Sequence, residues 1–230
     1  MRRLTAAAAT AGLVLLLAGC GGSSSGGNDN PIVAQNSNGP SPTGSCPDAP
    51  TPTGTPQQYA SEPAMCIQPT NYTATIVTNQ GTIVATLDGA KAPHTVNSFN
   101  FLAAHHYFDN SPCHRLTTQG IYVLQCGDPT GTGTGGPGYT IPDENLTGAT
   151  YPAGTLAMAN TGQPHTGGSQ FFFCYADTPL PPQYTPFGHV TQGLDVLKAI
   201  AAAGDDNSNG PGDGKPKKPV IIKSFTVTKA

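Results

Sequence analysis

Two neighbouring stretches carry the reading of this chain: Cys113-His114-Arg115-Leu116, and then Val123-Leu124-Gln125-Cys126-Gly127-Asp128. Apolar residues alternate in them with single polar ones, and Arg115 is the only arginine beyond Arg3. A guanidinium does not deprotonate in a protein, so Arg115 is suited to act as a fixed donor and charge, not as a base. Beside apolar residues, such a donor favours stabilising a developing charge or lone pair. Later come Met158-Ala159-Asn160-Thr161, Gly168-Ser169-Gln170-Phe171-Phe172-Phe173 and Phe187-Gly188-His189-Val190.

Around these stretches the chain reads as short strands. Tyr72 to Thr78 and Thr82 to Leu87 are β-branched runs separated by Asn79-Gln80-Gly81, a hairpin signal. Further strands are expected at 121–124, 155–159, 170–175 and 220–227. Pro93 suits the first turn of a helix whose apolar spacing runs through Val96, Phe99 and Leu102, and a second helix is expected from Leu194 to Ala203, stopped by Gly204. Many short strands with Gly and Pro turns and only two helices point to a β-barrel or sandwich with helical caps.

Several other chemistries are excluded or disfavoured. A net charge of -3 rules out a basic nucleic-acid footprint. Gly131-Thr132-Gly133-Thr134-Gly135-Gly136 satisfies the spacing of a dinucleotide-binding turn, but Pro137-Gly138-Tyr139-Thr140-Ile141-Pro142 follows and cannot open the helix that such a turn requires. His105, His106, His114, His165 and His189 lack metal-ligand spacing, so no metal and no cofactor are expected. Ser169 lacks the second glycine of a nucleophile elbow and reads as the residue leading into a strand.

The start of the chain has a separate job. Met1-Arg2-Arg3, an apolar run to Ala18 and then Leu17-Ala18-Gly19-Cys20 have the form of a secretory signal over residues 1–19, too short to span a bilayer. Residues 20–69 are rich in Gly, Ser, Asn, Pro and Thr and read as a flexible stalk with a root-mean-square span of about 35–42 Å. With 29 Gly, 23 Pro and only 10% charged residues, much of the molecule must be loop or linker. The globular unit is expected at 70–230. Two disulfides are candidates: Cys46–Cys66 around the Pro-rich segment and Cys113–Cys126 across a hairpin. Cys174 reads as a buried free thiol.

Leu17-Ala18-Gly19-Cys20 resembles the bacterial lipobox, which implies acylation of Cys20 and an extracytoplasmic protein anchored by lipid to the bacterial cell membrane. The ordered motifs of residues 70–230 resemble the cyclophilins, peptidyl-prolyl cis-trans isomerases built on an eight-stranded antiparallel β-barrel capped by two α-helices. The variant around Cys113 and Cys126 looks like the actinobacterial branch of that family. The resemblance implies that Arg115 is the catalytic arginine, with Gln125 orienting it and touching the peptide. It implies that Asn160 offers backbone to the substrate and that Gln170 reaches the peptide chain. It implies a proline pocket of Tyr122, Val123, Phe172, Leu180 and Tyr184, with Phe171 and Phe187 beneath or beside it.

Two departures stand out. The stretch between Arg115 and Gln125 is two residues longer than in the common family form, so Tyr122 and Val123 are aligned only from the Gln125 side. The chain has no Trp, so the cyclosporin binding implied by the family is expected to be weakened. The implied partners are proline-containing peptides and unfolded secreted proteins, handled by a monomer. The competing reading is a holdase that grips proline segments with little isomerisation; a solute-binding lipoprotein would need two α/β lobes that this length does not provide.

Overall fold

The structure, a computed structural model, describes residues 55–230. The expected signal at 1–19, the lipidated Cys20, Cys46 and the stalk up to residue 54 lie outside the described residues.

The hairpin signal resolves into β1 (Asn71–Thr78) and β2 (Gly81–Asp88), paired in antiparallel register from Asn71 opposite Asp88 to Thr78 opposite Gly81. Thr78 Oγ1 accepts from the backbone N–H groups of Gln80 and Gly81, and Gly81 takes the φ of +144° that the turn demands. Helix α1 (Pro93–Ala104) starts at its proline. Its first turn lacks a local cap, and Glu144, fifty residues on, accepts from His94 N–H and Thr95 N–H at 2.9 Å each.

The remaining elements are β3 (Arg115–Thr117), β4 (Val123–Cys126), β5 (Thr155–Met158), β6 (Phe171–Cys174), β7 (Pro186–Gln192), α2 (Leu194–Ala202), β8 (Asp213–Gly214) and β9 (Ile222–Lys229). All strand pairs are antiparallel, in the order β8-β3-β4-β6-β5-β7-β2-β1-β9. The mainly β class with two helices stands as expected, with nine strands in place of eight because two residues of the loop before β9 form a ladder beside β3. The sheet curls until its ends approach. Pro112 bridges Ile221, Cys113 N–H donates to Val220 O and Ile222 N–H to Ser111 O, each at 2.9 Å.

Inside the curl, α1 delivers Phe99 into an aromatic cluster with Phe108, Phe171, Phe187 and Phe225, at ring separations of 4.7 to 5.9 Å. Burying such rings is the main stabilising contribution of the core.

The stalk boundary needs correction. Residues 55–69 belong to the domain: Tyr59 is 2% exposed, edge-on to Phe101 at 4.9 Å, and Asn97 donates to Pro63 O and Ala64 O. One buried aromatic ring anchors a segment whose average composition reads as linker. Cys66 is disulfide-bonded, whereas Cys46, its expected partner, is among the undescribed residues.

Candidate active site

In a pleated sheet, residues directly opposite one another share a face. Arg115 lies opposite Gln125, Gln125 opposite Phe172, Phe172 opposite Ala157 and Ala157 opposite Pro186. One row across β3, β4, β6 and β5 therefore presents a guanidinium, an amide, an aromatic ring and a methyl in succession on the outer face. One residue along, the row Leu116, Leu124, Phe173, Leu156 is wholly buried in the core.

The guanidinium is held on two sides. Arg115 Nε donates to Asp213 Oδ1 at 2.8 Å and Nη2 to Asp213 Oδ2 at 2.5 Å, a bidentate pair with both side chains about a third exposed or less. Nη1 donates to Gln125 Oε1 at 3.4 Å. Of the five N–H donors that a guanidinium carries, this leaves one on each terminal nitrogen for a ligand. The hydrogen bonds that Arg115 donates to Asp213 raise the Arg115 pKa further, and the same contact holds the Asp213 carboxyl below the usual carboxylate range. Both stay charged throughout physiological pH, so the site offers directed N–H groups without a mobile proton.

Gln125 passes the alignment on: its Nε2 donates to Gln170 Oε1 at 2.8 Å, and Gln170 Nε2 donates to Gly135 O at 2.8 Å and Gly133 O at 3.0 Å. The glycine run thus forms a wall of the groove and binds no dinucleotide phosphate through a helix, since none follows it. Its loop wraps Asp128, which accepts from Gly133 N–H at 2.7 Å, Gly135 N–H at 3.0 Å and Thr130 N–H at 2.8 Å. A Cβ at Gly135 would stand 2.0 Å from Asp128 Oδ1, so only glycine fits. Burial raises the Asp128 pKa, but these hydrogen bonds outweigh it and the carboxyl stays below its ordinary value.

Beside the donors lies an apolar patch. Val123, Tyr151, Ala157, Phe172 and Cys174 pack together, with Ile121, Ala159, Leu180 and Tyr184 half-buried against them. Phe172 and Tyr184 meet edge-on at 5.7 Å. Tyr151 fixes this arrangement from beneath: its hydroxyl donates to Tyr184 O at 2.8 Å and accepts from Tyr184 N–H at 3.0 Å.

Arg115, Gln125, Gln170, Val123, Phe172, Leu180 and Tyr184 are thus brought together. Asn160 joins them with its side chain engaged, Nδ2 donating to Gln183 O and Oδ1 accepting from Gly162 N–H, which leaves its backbone to the groove. One expected pocket residue, Tyr122, lies elsewhere, and two expected beneath or beside the pocket, Phe171 and Phe187, do not touch it. Tyr122 turns toward the main core and Tyr175, at a ring separation of 6.0 Å, and Ile121 packs on the patch in its stead. The two additional residues between Arg115 and Gln125 displaced that alignment. Phe171 and Phe187 are 0% exposed in the main core, out of reach of a ligand.

Sequence reasoning missed Asp213 and Tyr151. The scarcity of charge offers a signal for the first, because a half-buried guanidinium in so weakly charged a chain requires an acid, and Asp213 is 98 residues away. A disulfide joins Cys113 to Cys126, stapling the strands that carry Arg115 and Gln125. Ser169, wholly buried, leads into β6 and donates its hydroxyl to Gly127 O at 2.7 Å. His114 adjoins Arg115 with both ring nitrogens buried, and burial lowers its pKa. Among the described residues no group of three or more His, Cys, Asp or Glu could hold a metal ion.

A curled antiparallel sheet plugged by a helix, with an arginine–glutamine pair beside an aromatic patch on its outer face, defines a class. Residues 73–227 match the family described as "Cyclophilin type peptidyl-prolyl cis-trans isomerase/CLD", and the chain belongs to that family. It is 46% identical over 173 residues to the protein named "Probable peptidyl-prolyl cis-trans isomerase B" of Mycobacterium leprae, and 47% identical over 173 residues to its namesake in Mycobacterium tuberculosis. Each alignment covers 69% of this chain but only 58% and 55% of those proteins, so the chain spans little more than half the length of these curated relatives. The crystal structure of a cyclophilin-type isomerase from Cryptosporidium parvum superposes with a TM-score of 0.62 at 32% identity, covering 70% of this chain and 99% of that one. The same protein has been solved in the presence of the dipeptide Ala-Pro, with a TM-score of 0.61.

Proposed function

We propose that this chain catalyses cis-trans isomerisation of X-Pro peptide bonds, and does so outside the cytoplasm on exported proteins, tethered by a lipid on Cys20. The observation that carries the catalytic reading is the row Arg115–Gln125–Phe172–Ala157, which sets a rigid donor beside an apolar patch. The tether and location rest on Arg2-Arg3, the apolar run and Leu17-Ala18-Gly19-Cys20.

Rotation about the prolyl amide costs about 20 kcal/mol because it breaks amide resonance. At the twisted state the nitrogen lone pair is no longer delocalised into the carbonyl and becomes a hydrogen-bond acceptor. A donor from Arg115 therefore stabilises the twisted amide more than the planar one, which is the condition for catalysis. Phe172, Val123, Leu180 and Tyr184 hold the proline ring while the rest of the peptide turns. Their apolar bulk lowers the local dielectric and strengthens the Arg115 contact. Asp213 balances the charge, so the pair presents direction more than net field.

The test is exchange spectroscopy by NMR on an Ala-Pro peptide with catalytic amounts of the wild-type chain. Acceleration of cis-trans exchange supports the isomerase; saturable binding with no acceleration would establish the holdase instead. The tether is tested by following Cys20→Ala in the host cell envelope. Release of the variant into the soluble fraction is expected, and unchanged membrane association would overturn the tether.

A further inference from the structure

The segment ahead of the family domain is fitted to the groove. Gln58 Nε2 donates to Gly136 O at 2.7 Å and Tyr59 N–H to Pro137 O at 2.8 Å, so residues 58–59 are bonded to the glycine-rich wall. Tyr59 pins them between Phe101 and Tyr139, and its hydroxyl donates to Gln57 Oε1 at 2.6 Å. The wall is shaped for this contact in return. Gly138 sits at φ +92°, and a Cβ there would stand 2.6 Å from Tyr59 O.

Gln58 lines a cavity of ≈ 790 Å³ together with Gln125, Gln170 and Asn160, continuous with the row that carries Arg115. The rest of its lining is glycine backbone, hydroxyls such as Thr134 and Thr161, and Pro137; among the described residues no acidic or basic side chain takes part. A charged side chain entering it would lose water without gaining a partner, whereas a neutral polar one exchanges water for amide and hydroxyl groups.

We propose that Gln58 is a specificity-determining residue of the substrate groove: this strap, outside residues 73–227, forms the wall that selects an uncharged polar side chain flanking the X-Pro pair. This rests on the isomerase reading above. The test uses the full chain and Ala-Pro peptides whose residue before or after the pair is Ser, Glu or Lys. For the wild type, kcat/KM is expected to favour Ser over both charged peptides by about three- to tenfold, the scale of one satisfied polar contact. Gln58→Lys keeps a donor for Gly136 O and adds a positive charge, and is expected to raise the Glu:Lys ratio by a similar factor. An unchanged Glu:Lys ratio in that variant overturns the proposal.

Peptide titration followed by NMR separates the two layers. The Gln58 side-chain amide and the Gly136 N–H are expected to shift over the same concentration range as Gln125. Shifts at Gln125 with none at Gln58 overturn the strap's role whatever the turnover. Joint shifts without any acceleration overturn the isomerase reading while sustaining the strap as a wall of the groove.

Discussion

One half of the sheet is built from β1, β2, β7 and β9, with seven or eight residues each; the other from β3, β4, β5, β6 and β8, with two to four. In the long half β1 and β2 alternate buried and less buried residues along nearly their whole length, and none of its four strands carries a grouped site residue. The short half carries Arg115, Gln125, Phe172 and, on β8, Asp213, and buries its inner row as completely as the long half does. The difference teaches a division of labour. Long ladders supply stability, while short strands end close to loops, where polar groups can be aimed at a ligand.

Breaking the long half should cost fold and spare chemistry. Ile76→Ala, at a 0% exposed position of β1, is expected to lose about 2–5 kcal/mol in denaturant unfolding, with kcat/KM unchanged well below the unfolding midpoint. A parallel loss of turnover in the folded variant would erase the division.

The short half needs its staple. Replacing Cys113 and Cys126 together by Ser removes a cross-link of sequence separation 13 and is expected to cost about 3 kcal/mol. Equal thermal midpoints with and without the bridge would show that these strands hold register unaided.

Asp213→Ala should act on chemistry more than on fold. It frees two of the contacts that aim Arg115, and kcat/KM is expected to fall about tenfold, or about 1.4 kcal/mol, with KM nearly unchanged. A variant as fast as wild type would assign Asp213 to the loop alone.

The smallest effect is in pH. Asp213, held down by Arg115, and Asp128, held down by its loop despite burial, both have folded pKa values below the unfolded ones. The unfolded chain thus takes up protons that the folded one refuses, so stability is full above about pH 4 and falls as the pH drops below it. Over about pH 7–8 kcat/KM should be flat, since Arg115 and Asp213 keep their charges and burial lowers the His114 pKa from its ordinary value. A bell-shaped rate profile in that range would reveal a proton transfer that the geometry does not provide.

Legibility in the sequence followed the same division. The hairpin at Asn79-Gln80-Gly81, the helix opened by Pro93 and the helix ended by Gly204 are written in local turn chemistry and period, and all three are found. β3 and β8 are too short to show any period, and their pairing across a hundred residues is a tertiary event. β7 escaped because Pro186 and Gly188 break its alternation; Gly188 is there because a Cβ would stand 2.8 Å from Thr86 O. The site was legible only where motif order reached. Arg115, Gln125 and Phe172 came from it, while Tyr122 was placed on the wrong side because two additional residues hide which face each position takes. The strap was invisible to composition, since a single ring, Tyr59, decides whether a polar segment docks.

The most direct test of the account compares wild type and Arg115→Ala in one exchange experiment on an Ala-Pro peptide, with the unfolding midpoint of each sample recorded alongside. The account expects kcat/KM to fall by about two to three decades, roughly 3–4 kcal/mol of transition-state stabilisation, with the midpoint close to that of wild type. Turnover near the wild-type value in the folded variant would contradict it and remove Arg115 from the mechanism.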